Sequence, residues 1–90
     1  MEFTQIIEQL ISEGNLDKAI SMLDHEIERH PNDDALWYLR GKSYWRMGRK
    51  AYAISDFEEA VHINPESPAV HALELARGIM DFYNPDLLNP

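Results

Sequence analysis

One spacing constrains this chain of 90 residues more than any other feature: residues in its first half recur 34 positions later. Pro31 is followed by Pro65, and Gly14 is followed by Gly48. The same offset joins four apolar pairs, which are Ala19 and Ala53, Ile20 and Ile54, Leu23 and Phe57, and Ile27 and Val61. A fixed period of this length is typical of proteins that stack similar units and bury a core between neighbours. The sequence therefore predicts stacked repeats.

Apolar side chains recur at helical spacing in five segments, and residues such as Gly, Pro and Asn separate the segments. Gly14 and Gly48 are expected to end the first and third segments, and Asn15 to cap the second. Pro31 and Pro65 are expected to end the second and fourth, because proline disfavours helical geometry in the residue before it. No segment alternates as a strand does, so the predicted fold class is all-α.

Side chains that can cap helices precede the third and fifth segments. Asn32, Asp33 and Asp34 stand before the third, where acidic charge is also favourable. Ser67 is placed to cap the fifth, with Pro68 in its first turn. Both helices therefore have a predicted start.

The third helix is predicted to bury Trp37, Gly41 and Tyr44, which are spaced i, i+4, i+7. Gly41 is expected to let this helix approach the fourth closely, near Ala53.

The second unit resembles the tetratricopeptide repeat, whose pattern is W-x2-L-G-x2-Y, then A-x3-F, then P. The matching residues are Trp37-x2-Arg40-Gly41-x2-Tyr44, Ala53-x3-Phe57 and Pro65. Only Arg40 departs, since the family usually has leucine there. The first unit keeps the shape with Phe3-x2-Ile6-Ile7-x2-Leu10, Ala19-x3-Leu23 and Pro31. A third unit is not present in the sequence. The positions 34 residues after those of the second unit carry residues that do not match the pattern, namely His71, Glu74, Leu75 and Gly78.

The resemblance implies a right-handed superhelical stack of antiparallel helix pairs, a TPR-like α-solenoid of five helices. We expect a single domain over residues 1–90. Its expected parts are repeat 1 at about 1–33, repeat 2 at about 34–67, a capping helix at about 68–83 and a tail at 84–90.

Composition narrows the function. The net charge of −8 argues against a general nucleic-acid or anionic-membrane binder, because both need a basic surface. The absence of cysteine excludes disulfides and thiolate metal sites. The four histidines do not have metal-ligand spacing, and no catalytic motif is present. We expect no metal, no cofactor, no leader peptide, no membrane span and no enzyme activity, and a cytoplasmic location.

In the family that this chain resembles, the first helix of each unit lines a concave groove, where peptides lie. The third helix would present there Tyr38, Lys42, Trp45, Arg46 and Arg49. The first helix would add Thr4, Glu8 and Ile11, and the fifth would add Ala69, Ala72, Ala76 and Met80. Five of the eight basic residues fall between positions 40 and 50. We therefore predict an adaptor whose groove binds a protein segment, with an acidic or carboxylate-ended peptide as the hypothesis.

Two alternatives remain open at this stage. The basic residues would instead form surface ion pairs with acids such as Glu8, Glu13, Glu58 and Glu59, with Trp45 packed on a neighbouring helix. The second alternative is a structural homo-oligomer that associates through the groove or the tail. In the tail, Tyr83 and Leu87 or Leu88 would fold back over the open end of the stack or enter the groove of another copy.

Overall fold

The structure of the chain is a computed structural model that describes residues 2–83, with their side chains as far as Gly78. This part contains five α-helices and no strand. The helices are α1 (Phe3–Ser12), α2 (Leu16–Arg29), α3 (Asp34–Met47), α4 (Lys50–Ile63) and α5 (Ala69–Tyr83). Each helix packs on the next, and α1 also contacts α3. The predicted all-α solenoid is confirmed, whereas the tail at 84–90 lies outside the described residues.

The two glycines at equivalent positions end α1 and α3 in the same way. Gly14 has φ +79° and Gly48 has φ +86°, a left-handed conformation that glycine adopts at low cost. The amide of the following residue donates to the carbonyl five residues earlier, at 2.8 and 2.9 Å. This pattern is a Schellman motif, which turns the chain sharply into the next helix.

The predicted caps are partly confirmed. The Asp33 carboxylate accepts the Ala35 amide at 3.1 Å, and the buried Ser67 hydroxyl accepts the Ala69 amide at 3.0 Å. Asn15 stands at the N-cap of α2, but its side chain makes no capping bond, so that prediction is wrong. The backbone amide of Asn15 instead bonds to the Leu10 carbonyl in the Schellman turn that ends α1.

The predicted buried face of α3 is partly wrong. The buried residues of α3 are Leu36, Leu39, Gly41 and Ser43, whereas Trp37 and Tyr44 are only half-buried. The reason is that α3 lies between α2 and α4 and buries two faces instead of one. Leu36 and Leu39 join the core of the first unit, and the aromatic rings lie at the edges.

Gly41 faces α4 as expected. A Cβ added to Gly41 would lie 2.5 Å from Cε1 of Phe57 and 3.2 Å from the carbonyl oxygen of Ala53. The first distance is too short for two carbon atoms and the second is a tight contact, so Phe57 or α4 would have to shift. The glycine therefore sets the close packing of α3 on α4.

Helix α5 packs on α4 through buried Ala69, Leu73 and Ala76. On its other side, His71, Glu74 and Leu75 are exposed. Ala72, Leu75 and Ala76 of α5 lie on the side of the helix that faces α3.

Candidate functional site: a groove between α3 and α5

A cavity of about 290 Å³ opens between α3 and α5, above α4. It is lined by Lys42, Trp45 and Arg46 of α3, Phe57 of α4, and Ala72, Leu75 and Ala76 of α5. Three of the five residues expected in the groove from the third helix therefore border one cavity, together with two of the alanines expected on α5. The three residues expected from the first helix do not line this cavity, and one of them, Ile11, is buried in the core of the first unit. Met80 lies outside the residues whose side chains are described.

Helical spacing on both walls produces this cavity. Lys42 and Arg46 are four residues apart, so they lie on one face of α3, as do Ala72 and Ala76 on α5. The two alanines leave a gap that larger side chains would close. The ring of Phe57, which is 3% exposed, forms the floor.

The cavity walls are mainly apolar. Trp45 is half-buried, and Leu75 is 56% exposed, which is unusual for a large aliphatic residue beside a core. The charged groups of Lys42 and Arg46 are the ionisable groups among the lining residues. The arrangement combines an apolar interior with cations, so it suits a ligand that has both an apolar and an acidic part.

Tyr38 and Arg49 do not line the cavity. The Tyr38 ring packs on Phe57, with centroids 6.1 Å apart, and the Lys42 ammonium lies 5.3 Å from the Tyr38 ring. The Arg49 guanidinium lies 5.8 Å from the ring of Tyr52 on α4. Tyr38 thus supports the cavity from one side. Arg49 lies at the N-cap of α4, not within α3 as expected.

The basic residues around the cavity form no ion pairs with the acidic residues in the described part of the chain. In residues 2–78, ion pairs are formed by Arg29, Arg40 and Arg77, and Glu58 pairs with Arg77. Lys42, Arg46, Arg49 and Lys50 form none in that part of the chain.

Arg46 and Lys50 also make contacts other than ion pairs. One Arg46 nitrogen donates to the Ile11 carbonyl at the end of α1, where a cation is favoured by the helix dipole. A guanidinium has five N–H donors, so others are left for a ligand. The Lys50 ammonium lies 4.6 Å from the Trp45 ring. Both contacts leave the positive charge of the side chain without a carboxylate.

Arg40 is different, and its role was not predicted. Its guanidinium donates two bonds of 2.8 Å to Asp56 of α4 and one of 2.8 Å to Asp24 of α2. It also lies over the rings of Trp37 and Tyr44, at 5.0 and 5.8 Å. The only sequence signal was the departure from leucine at this position. Arg40 joins three helices and is not available to a ligand.

Burial affects the pKa values of this cluster. Hydrogen bonding to Asp56, supported by Asp24, raises the pKa of Arg40 above its usual value despite burial. Burial raises the pKa of Asp56, and the bonds from Arg40 oppose that rise. Burial also raises the pKa of Tyr44. Asp56 is 4% exposed, so Arg40 is the group that keeps its charge compensated.

The family profile of the tetratricopeptide repeat matches residues 34–67. The chain is a tetratricopeptide-repeat protein. It is 33% identical over 70 residues, 78% of its length, to the "Tetratricopeptide repeat and J domain-containing co-chaperone DNJ1" of Cryptococcus neoformans. It is 31% identical over 65 residues, 72% of its length, to human intraflagellar transport protein 70A. The chain spans only 13% and 10% of these two relatives.

A solved structure matches over nearly the whole chain. The solution NMR structure of Bacteroides fragilis protein BF1650 aligns with a TM-score of 0.88 and 31% identity. The alignment covers 99% of this chain and 91% of that protein. A tetratricopeptide-repeat arrangement of this size is therefore shared with an experimentally determined structure.

Tetratricopeptide repeats generally mediate protein–protein interactions, and the fold is typically a non-catalytic scaffold. Within residues 2–83, none of the helices has the length and apolar character needed to cross a bilayer. In residues 2–78, whose side chains are described, no group of three or more His, Asp or Glu side chains is placed to hold a metal ion.

Proposed function

We propose that this tetratricopeptide-repeat chain is a non-catalytic adaptor that binds an acidic segment of a partner protein in the groove between α3 and α5. Lys42, Trp45 and Arg46 are the proposed contact residues, with Tyr38 and Arg49 beside them. A cytoplasmic location belongs to the proposal, since a chain without cysteine needs no oxidising compartment.

The observation that carries the proposal is an apolar cavity bordered by cations without a carboxylate partner in residues 2–78. Arginine can bind a carboxylate through two parallel hydrogen bonds, and tryptophan and arginine often dominate binding energy at interfaces. The chain as a whole carries a charge of −8, which repels acidic ligands at long range. A local basic surface is therefore the place where an acidic segment can bind.

The test is titration of a fluorescently labelled pool of acidic peptides against the double variant Lys42→Gln/Arg46→Gln. We expect affinity to fall at least tenfold, and the loss to shrink as salt rises, because salt screens exposed charges. The matched control is Lys18→Gln/Arg29→Gln, which removes the same charge from exposed positions of α2. Thermal unfolding of both variants checks that loss of the Arg46 bond to Ile11 has not unfolded the chain. Equal affinity of the double variant and the wild type would refute the proposal.

Self-association through the same groove is a second candidate, because Leu75 is exposed at its edge. Sedimentation velocity of the full chain and of Leu75→Ser tests it. A dimer that dissociates in Leu75→Ser would favour this candidate, whereas a monomer over the working concentration range would remove it. The full-length variant Leu87→Ser/Leu88→Ser tests a contribution of the tail, which lies outside the described residues.

A further inference from the structure

We infer that the cavity between α3 and α5 receives one large apolar side chain of the partner, and that Lys42 and Arg46 bind acidic residues on either side of it. The recognised motif is thus a leucine- or phenylalanine-sized residue with Asp or Glu two positions before it and two positions after it. This inference rests on the proposed function and specifies its ligand.

The size and lining of the cavity support a single side chain. Its volume of about 290 Å³ is at the lower limit of the roughly 300–1,000 Å³ typical of small-molecule sites. The Phe57 ring, the two alanines and Leu75 offer no hydrogen-bonding side chain, so a polar group placed there would lose its water without replacement. An apolar side chain gains by leaving water.

The spacing of the two cations supports acids on both sides of that residue. Side chains at i and i+4 of a helix, as for Lys42 and Arg46, have Cβ atoms about 5–6 Å apart. In an extended segment, side chains two residues apart lie on the same face. The acids that share a face with the apolar residue i are therefore i−2 and i+2, about 13 Å apart at about 3.3 Å per residue. The long Lys and Arg side chains can span this distance when they extend in opposite directions along α3.

The competing occupant is this chain itself. Its own sequence Asp86-Leu87-Leu88 has similar chemistry and lies outside the described residues. We commit to a segment of another protein, because the tail has an acid on one side only, whereas the cavity has two cations. The experiment separates the two occupants.

The probes are labelled heptapeptides of sequence Gly-Asp-Ser-X-Ser-Asp-Gly, with X as Ala, Leu or Phe, and a Leu peptide in which both Asp are Asn. Binding to the full chain is measured by fluorescence anisotropy. We expect the Leu and Phe peptides to bind at least tenfold more tightly than the Ala peptide. Replacement of both Asp by Asn should lower the affinity of the Leu peptide at least tenfold. In Lys42→Gln/Arg46→Gln, the Asp and Asn forms of the Leu peptide should bind with equal affinity.

Cavity filling supplies an independent test without a change of charge. Ala72→Leu occupies the gap, and we expect affinity for the Leu peptide to fall at least tenfold. Ala51→Leu adds the same group on an exposed position of α4 and should leave affinity unchanged. If Ala72→Leu unfolds, Leu75→Ser, at an exposed wall of the cavity, takes its place with an expected loss of about fivefold.

The outcomes are distinguishable. Equal affinity for the Ala, Leu and Phe peptides would overturn the inference and leave the acidic groove in place. Equal affinity for the Asp and Asn peptides would overturn the inference that Lys42 and Arg46 bind acidic residues of the segment. If none of the acidic peptides binds, the proposed function and the inference both fall. If the Leu peptide binds only to the full-length variant Leu87→Ser/Leu88→Ser, the tail occupies the cavity, and the commitment to another protein is overturned.

Discussion

Replacement of Arg40 by Ile is the perturbation whose effect follows most directly from the structure. It removes two 2.8 Å bonds to Asp56, whose side chain is 6% exposed, and leaves that carboxylate buried without a cation. Loss of one partner of a buried ion pair costs about 3–5 kcal/mol. The bond to Asp24 adds about 0–1 kcal/mol, because that carboxylate is 53% exposed.

We therefore expect Arg40→Ile to lower the free energy of unfolding by about 3–6 kcal/mol. For a domain of this size, at about 4–8 °C for each kcal/mol, the melting temperature should fall by about 12–48 °C. Urea unfolding followed by far-UV circular dichroism measures the change, with an unaltered m-value as the check for two-state behaviour. Asp24→Asn is the control for the exposed contact and should stay within about 1 kcal/mol of the wild type.

The chain itself provides the compensating variant. Thirty-four positions before Arg40 and Asp56 stand Ile6 and Met22, which are half-buried and pack against the core of the first unit. Arg40→Ile/Asp56→Met gives the second unit the apolar pair of the first. Replacing a buried ion pair by apolar residues is often neutral or stabilising by about 1–4 kcal/mol. We expect the free energy of unfolding of the double variant to equal or exceed that of the wild type, with an allowance of about 1 kcal/mol.

The stability deficit of Arg40→Ile should depend on pH. Without Arg40, burial raises the pKa of Asp56 unopposed, so the folded-state pKa lies above the unfolded value of about 3.9. Between these two values the folded protein binds more protons than the unfolded chain, so stability falls as pH rises through the window. The deficit relative to the wild type should be larger at neutral pH than near the unfolded pKa. This account would be refuted if Arg40→Ile were as stable as the wild type at neutral pH. It would also be refuted if Arg40→Ile/Asp56→Met were as unstable as Arg40→Ile.

The remaining predictions concern packing and capping, and thermal unfolding checks each of them. Gly41→Leu should destabilise by about 1–3 kcal/mol or more, because its side chain meets Phe57 and α4 must shift. Gly78→Ala is its control: nothing lies within 4 Å of that Cβ, and alanine in a helix should stabilise by about 0.8–1 kcal/mol. Ser67→Ala should cost about 0.5–2 kcal/mol through loss of the α5 cap. A melting temperature of Gly41→Leu equal to that of Gly78→Ala would contradict the close packing of α3 on α4.

The sequence was informative wherever a residue acts on its own backbone. Gly14 and Gly48 end their helices through a local conformation, and Ser67 caps α5 from two residues away, so their effects could be predicted. The cap expected from Asn15 failed: its backbone amide completes the turn that ends α1, but its side chain makes no capping bond to α2. The α3 cavity residues Lys42, Trp45 and Arg46 were predicted from helical spacing and the groove that the family resemblance implies.

What the sequence by itself determined is the number, the limits and the order of the helices in residues 2–83 and the repeat that relates them. Only the tertiary structure decided that α3 buries two faces, that Phe57 floors the cavity and Leu75 borders it, and that Arg40 holds Asp24 and Asp56 together. Arg40 is 16 residues from each of these carboxylates, so no local pattern connects them. Helix ends depend on neighbours in sequence, whereas a cavity or a buried ion pair depends on how α2, α3, α4 and α5 pack.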